Sequence, residues 1–313
     1  MGASVRSMPY CATIVIPVLN QRSDWLRKCV LSALNQTART ETIVVTSRAT
    51  KTNTVRNLHC LAFKYPDLRV VIEEGLGLAV QLNAGIRSST ATRIGFLHSD
   101  DWLDKSAVEE CLAFDTDIVS TGMRGYGADG KRPLKILCRT PSLEEWRGQP
   151  TLERKASYLK AFLFFQKDKL LAVGGVDENV GSTGPDDFDL IWTLLEQNAS
   201  VQIVGKQLYH YRDHGGERLS LRSVDVQVRD LSRILDKHRV SGPERQEIIA
   251  WHSVSYGRPW HVALRERRTR RLRPPGAILG RAEPRSPTEA PPDDVWDRQA
   301  SRLRVGMSSD HSQ

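Results

Sequence analysis

The stretch Arg93-Ile94-Gly95-Phe96-Leu97-His98-Ser99-Asp100-Asp101-Trp102 decides how this chain is read, because an apolar run halts abruptly at two adjacent carboxylates. A buried strand ending in paired acids sets like charges side by side at a sheet edge, which costs free energy unless a cation or ligand offsets it. In sequence, a site for a divalent metal and a phosphate has this form. A second acidic cluster, Gly184-Pro185-Asp186-Asp187-Phe188-Asp189-Leu190, opens an amphipathic helical pattern further along. The two clusters together point to an enzyme.

Outward from the acid pair, the chain alternates strand-like and helix-like periods. Residues 12–18 read as a fully buried strand, and 24–34 carry apolar residues at helical spacing behind Ser23 as N-cap. Strands follow at 42–46, 69–72 and 93–97, with helices at 54–63 and 78–86 between them. This alternation predicts an α/β fold, a mostly parallel sheet flanked by helices on both faces. Ligands of such sheets bind beyond the carboxyl ends of the strands, which here read Pro17-Val18-Leu19-Asn20, Thr46-Ser47-Arg48, Glu73-Glu74-Gly75 and His98-Ser99-Asp100-Asp101. A nucleotide along that edge would find Asn20 and Thr46 for base or ribose, Gly75 and Gly77 for close backbone approach, and the acids for a diphosphate-bound metal. Each acid cluster also has a purely structural reading, as helix caps or first-turn acids, Asp101 or Asp104 for a helix from Lys105 onward.

Four blocks now carry a resemblance. Thr13-Ile14-Val15-Ile16-Pro17-Val18-Leu19-Asn20, the Gly77-x5-Asn83-x-Gly85 helix, the Ser99-Asp100-Asp101 strand end and Asp186-Asp187-Phe188-Asp189-Leu190 resemble, in order and spacing, the blocks of family-2 glycosyltransferases of the GT-A fold. The resemblance covers about residues 12–220. It implies a Rossmann-like GT-A sheet and inverting transfer of a sugar from a nucleotide-diphosphate donor to an acceptor hydroxyl. It further implies Mg²⁺ or Mn²⁺ on the diphosphate. Asp100 and Asp101 would be the ribose and metal acids and Asp187 the general base, with Pro17, Asn20, Thr46, Gly77, Asn83, His98 and Ser99 about the nucleotide sugar. Tyr209-His210-Tyr211-Arg212-Asp213-His214 resembles the family's closing loop, which makes His214 a candidate third metal ligand and Arg212 or Arg218 a diphosphate partner. Asp186 and Trp146 are candidates for the acceptor side. The acceptor could be a saccharide or a small secondary-metabolite aglycone.

Two departures from the family pattern stand out. Many members read uracil with acids after the second strand, where this chain has Thr46-Ser47-Arg48, and His98 replaces a frequent Asp. They motivate an alternative, a non-catalytic nucleotide-sugar-binding protein on a degenerate transferase scaffold. Gly75-x-Gly77 lacks the third glycine of a dinucleotide fingerprint, since Val80 occupies that position. Phe162, Phe164 and Phe165 read as core aromatics rather than a stacking surface.

Composition sets the remaining bounds. The chain has 313 residues, 40% of them hydrophobic, enough for a sizeable core. It shows no apolar run of membrane-spanning length and no leader-like start, so a cytoplasmic protein is expected. The five cysteines have no metal-site or disulfide spacing. Much of the net charge of +8 comes from Arg265, Arg267, Arg268, Arg270, Arg271 and Arg273, read as a solvated tail rather than a nucleic-acid site. The expected organisation is an N-terminal extension over 1–11 and a transferase domain over 12–222, its donor half 12–121 and acceptor half 122–222. A helical addition over 223–262 and a disordered tail over 263–313 complete it. The sequence leaves open whether a homo-oligomer forms.

Overall fold

The computed structural model describes residues 9–134, 140–180, 186–214, 223–253 and 256. One sheet of eight strands organises them, in the order β3-β2-β1-β4-β7-β6-β8-β5. The first half is the expected parallel array: β1 (Ala12–Val18), β2 (Thr40–Ser47), β3 (Leu68–Glu73) and β4 (Arg93–Phe96) all run the same way. The second half is mixed. Strand β7 (Leu163–Gln166) is antiparallel to both β4 and β6 (Ile118–Tyr126), so β6 regains the direction of β4, and β8 (Val201–Arg212) is parallel to β6. The carboxyl ends of β4 and β8 therefore reach the same edge of the sheet. The short β5 (Trp102–Leu103) leaves the acid pair and pairs antiparallel with β8, Trp102 opposite His210.

Alternate residues of β1 enter two different core clusters, Val15 one and Ile14 and Ile16 the other, so the sheet is buried on both faces. That is why its strands are continuous apolar runs. Helix α1 (Ser23–Leu34) buries Trp25, Leu26, Cys29, Val30 and Ala33, a single stripe at helical spacing. Its N-cap is Arg22 and not the expected Ser23, which is the first helical residue and makes no side-chain capping bond. Helices α2 (Thr52–Lys64) and α3 (Leu78–Ser88) complete the crossovers between the parallel strands. Helix α3 approaches β1 so closely that a Cβ on Gly85 would collide with the Val15 side chain.

Phe162, Phe164 and Phe165 are fully buried, as expected of core aromatics. Trp146, on the short helix α5 (Leu143–Arg147), belongs to the core as well. Its indole N–H donates to the Lys155 carbonyl (3.0 Å) on α6 (Leu152–Tyr158), so this candidate for the acceptor side is held as a core residue. After β7 come α7 (Lys167–Ala172) and then α8 (Asp186–Glu196), which opens with the second acid cluster. Between β5 and β6 lies α4 (Ala107–Leu112), preceded by a turn in which Asp104 accepts from the Ser106 N–H (3.0 Å). Helices α9 (Val224–Lys237) and α10 (Gly242–Ser253) follow β8 in the chain. The Arg-rich segment, Cys138, Arg218 and residues 257–313 lie outside the described residues.

Candidate functional site at the carboxyl edge of the sheet

Beyond Phe96 the chain stays paired for one more residue, the Leu97 N–H donating to the Val15 carbonyl (3.0 Å), and then turns, the Asp101 N–H closing onto the His98 carbonyl (3.1 Å). This turn separates the fates of the two acids. Asp101 points inward and is almost fully buried. One of its oxygens accepts from the Tyr209 hydroxyl (2.6 Å) and the other from the Arg212 N–H (2.7 Å), both on β8. Burial, reinforced by the neighbouring Asp100 charge, pushes the Asp101 carboxyl well above the usual carboxylate range, and those two hydrogen bonds oppose the shift only in part. Asp101 thus ties the acid turn to β8.

Asp100 points to the edge. Its Oδ2 lies 2.9 Å from Nε2 of His214, which the parallel run of β8 delivers to this edge. Burial raises the Asp100 carboxyl, but the His214 bond and the nearby His98 more than offset it, so the group is held below its ordinary value. The His214 ring leans on Trp25 of α1 with centroids 4.7 Å apart, which fixes its plane. A carboxylate oxygen and an imidazole nitrogen converging at a sheet edge suit Mn²⁺, and Mg²⁺ less well, provided that phosphate oxygens and water complete the shell. Among the described residues no group of three metal-ligating side chains occurs, so the protein would supply only part of such a shell.

Arg212, a predicted diphosphate partner, is spent otherwise. Its guanidinium lies 4.8 Å from the Trp25 ring and 5.0 Å from the Trp102 ring, and it donates to the carbonyls of Asp100 and Ala128, each at 2.9 Å. It buttresses the acid turn and is itself buried.

The remaining predicted residues fall into two groups. Near the edge, Asn20 is exposed and accepts from the Lys51 N–H (3.1 Å), joining the end of β1 to the start of α2; His98 is exposed and Ser99 buried. Gly77 caps α3 at φ 119°, ψ 154°, a region essentially reserved for glycine. Inside the fold, Pro17 is buried within β1 and the Thr46 hydroxyl donates to the Val71 carbonyl (3.4 Å). Asn83, expected to bind the nucleotide sugar, instead clamps the chain ahead of α8. Its amide accepts from the Val176 N–H and donates to the Val176 carbonyl, both at 2.8 Å, and donates also to Glu178 (2.9 Å).

The second cluster opens α8. Asp186 is buried and Asp187 exposed on the first turn of α8. Burial and the adjacent Asp187 charge push the Asp186 carboxyl well above its usual range. No described hydrogen bond joins these acids to the Asp100–His214 pair.

Sequence reasoning missed two contributors, Gln81 and Trp25, and the pairing of Arg48 with Glu74. Gln81 of α3 donates to the Val18 carbonyl (2.9 Å) and steadies the end of β1. Trp25 supports His214; an aromatic on the apolar stripe of α1 gave no signal beyond core packing. Arg48 and Glu74, the residues after β2 and β3, form an exposed ion pair with each other.

A sequence profile described as Glycosyl transferase family 2 matches residues 13–167. Over 252 residues, 78% of this chain, the protein is 27% identical to the O-antigen biosynthesis protein RfbC of Myxococcus xanthus, covering 19% of that relative. It is 33% identical to a chondroitin synthase of Pasteurella multocida over 238 residues, 73% of this chain and 24% of the relative. The chain spans about a fifth to a quarter of the length of these relatives. Among solved structures, S. aureus TarS 1-349 in complex with UDP-GlcNAc superposes with a TM-score of 0.56 at 16% identity, over 78% of this chain and 71% of that one. That likeness shows the GT-A fold, and the profile match identifies residues 13–167 as a domain of glycosyltransferase family 2.

Proposed function

We propose that the chain transfers a sugar from a nucleotide-diphosphate donor to an acceptor hydroxyl with inversion at the anomeric carbon. The observation that carries this reading is the Asp100–His214 pair at the sheet edge where α/β sheets bind their ligands. Asp100 and His214 would hold a divalent cation, and that cation, when bound, would neutralise charge on the departing diphosphate. Asp101 serves as the anchor of the acid turn. Gly77 lets the backbone pass close to the donor.

Asp187 is assigned as the general base. Its exposed carboxylate accepts the acceptor's proton as the hydroxyl oxygen attacks the anomeric carbon and the bond to the diphosphate breaks. Asp186, buried and shifted toward its neutral form, leaves that carboxylate without a second full charge beside it. A saccharide is the favoured acceptor class, since the relatives are named for O-antigen and chondroitin synthesis. UDP-GlcNAc in the TarS complex supports a nucleotide-sugar donor, while the Arg48–Glu74 pair makes base preference a matter for measurement.

The test is thermal stabilisation by a panel of nucleoside diphosphates and sugar nucleotides with and without Mn²⁺. A ligand at a hundredfold its Kd stabilises by about 2.7 kcal/mol. The reading expects one base to give a Mn²⁺-dependent shift that Asp100→Asn abolishes. Folded protein that responds to no nucleotide would refute it.

A further inference from the structure

We propose that the C-terminal helices α9 and α10 are a clamp that positions the first turn of α8, with His238, Lys237 and His252 as positioning residues for Asp187. The inference rests on the reading of Asp187 as the base. It goes beyond that reading because it assigns a role in the reaction to a part of the chain outside the family match at 13–167.

The two residues that follow Asp187 are both gripped from the C-terminal pair. Asp189 is a carboxylate at 1% exposure, too costly to leave unpaired. Its Oδ2 meets Nζ of Lys237 at 2.6 Å and its Oδ1 meets Nε2 of His238 at 3.1 Å. Nδ1 of His238 lies 2.8 Å from Oε1 of Glu196, and the imidazole lies flat on Trp192, centroids 4.1 Å apart and planes 2° from parallel. Residues 189, 192 and 196 recur at i, i+3 and i+7, so one buried imidazole covers a whole face of α8. His238 is thereby fixed in position, ring plane and rotation.

Phe188, the residue between Asp187 and Asp189, packs on the ring of His252 from α10 at 4.9 Å. His252 is held in turn by Glu153 of α6 (3.0 Å). Lys237 reaches one step further: the same Nζ lies 3.3 Å from Asp177, in the chain that leads toward α8. A single ammonium thus joins the approach to α8 with its first turn, and Asn83 holds that approach as well, through Val176. A base must sit within hydrogen-bond reach of its proton, and misplacement by about 1 Å costs on the order of a hundredfold in rate.

The experiment compares wild type with His238→Gln, Lys237→Met and Asp187→Asn in the full chain. Two readouts are taken: hydrogen exchange of the α8 backbone, and kcat and KM for the sugar nucleotide that the panel selects. The clamp predicts that His238→Gln speeds exchange of the hydrogen-bonded α8 amides by about tenfold or more while β1 to β4 stay protected. It also predicts a fall in kcat of about ten- to a hundredfold with donor KM within about twofold of wild type, because the donor edge is untouched. Unchanged α8 exchange, or wild-type kcat in a variant with loosened α8, would overturn the clamp. Should His238→Gln fail to fold, Lys237→Met, which removes the half-buried arm alone, carries the same two readouts. Wild-type turnover in Asp187→Asn would overturn the base assignment instead; loss there with wild-type kcat in the clamp variants would overturn the clamp alone.

Discussion

Asp100 and Asp101 are neighbours of the same chemistry, and the structure assigns them opposite consequences when removed. Asp101→Ala deletes the acceptors of two buried donors, the Tyr209 hydroxyl and the Arg212 N–H. Each orphaned donor costs about 1–3 kcal/mol. Relief of the buried carboxylate's own unfavourable environment returns part of this, leaving a net loss of about 3 kcal/mol. For a domain of this size each kcal/mol moves Tm by roughly 2–4 °C, so the variant should melt about 6–12 °C below wild type. Asp100→Ala removes the hydrogen bond to His214, worth about 1 kcal/mol net, and also relieves the repulsion on Asp101. Thermal unfolding by circular dichroism, without nucleotide or metal, measures both. If Asp101→Ala melted within about 2 °C of wild type, or Asp100→Ala melted as low as Asp101→Ala, the division of labour between the two acids would be wrong.

Gly77→Ala places a side chain at φ 119°, ψ 154° and should lose about 1–3 kcal/mol in denaturant unfolding, with weakened nucleotide stabilisation, because the α3 entry must shift. Asp186→Asn has a pH signature. The folded-state pKa of Asp186 is raised, so its contribution to stability is fully present below the ordinary carboxylate range and is lost as pH rises through the folded value. Asp186→Asn should therefore gain stability relative to wild type on going from pH 4 to pH 8, and a pH-independent difference in Tm would contradict the assignment.

The parallel half of the sheet was legible because its strands are buried on both faces and leave uninterrupted apolar runs: the expected strand over residues 12–18 is the observed β1. The acid turn was legible because paired carboxylates after such a run are costly without a partner. The partners were not. Asp101 finds Tyr209 and Arg212 only because β5 folds back on β8, a pairing of two residues too short to leave a periodic signal. Strand β6 was hidden by Gly122 and Gly125, which weaken any strand pattern, and by the register shift between β6 and β8 at Gly122. Asn83 and Arg212, expected at the donor, share a feature the sequence hid: both bond backbone groups at loops that no local pattern foretells. The core position of Trp146, a candidate for the acceptor side, was not legible because nothing in its neighbourhood revealed that α5 folds into the core.

The central claim is that Asp187 takes the acceptor's proton while the Asp100 edge binds the donor. Its most direct test is turnover of the selected sugar nucleotide by wild type and Asp187→Asn, measured beside donor affinity for the same two proteins. The account predicts that Asp187→Asn loses about 10²- to 10⁴-fold in rate and binds donor as wild type does. Turnover that survives in Asp187→Asn, with donor still bound, would contradict it.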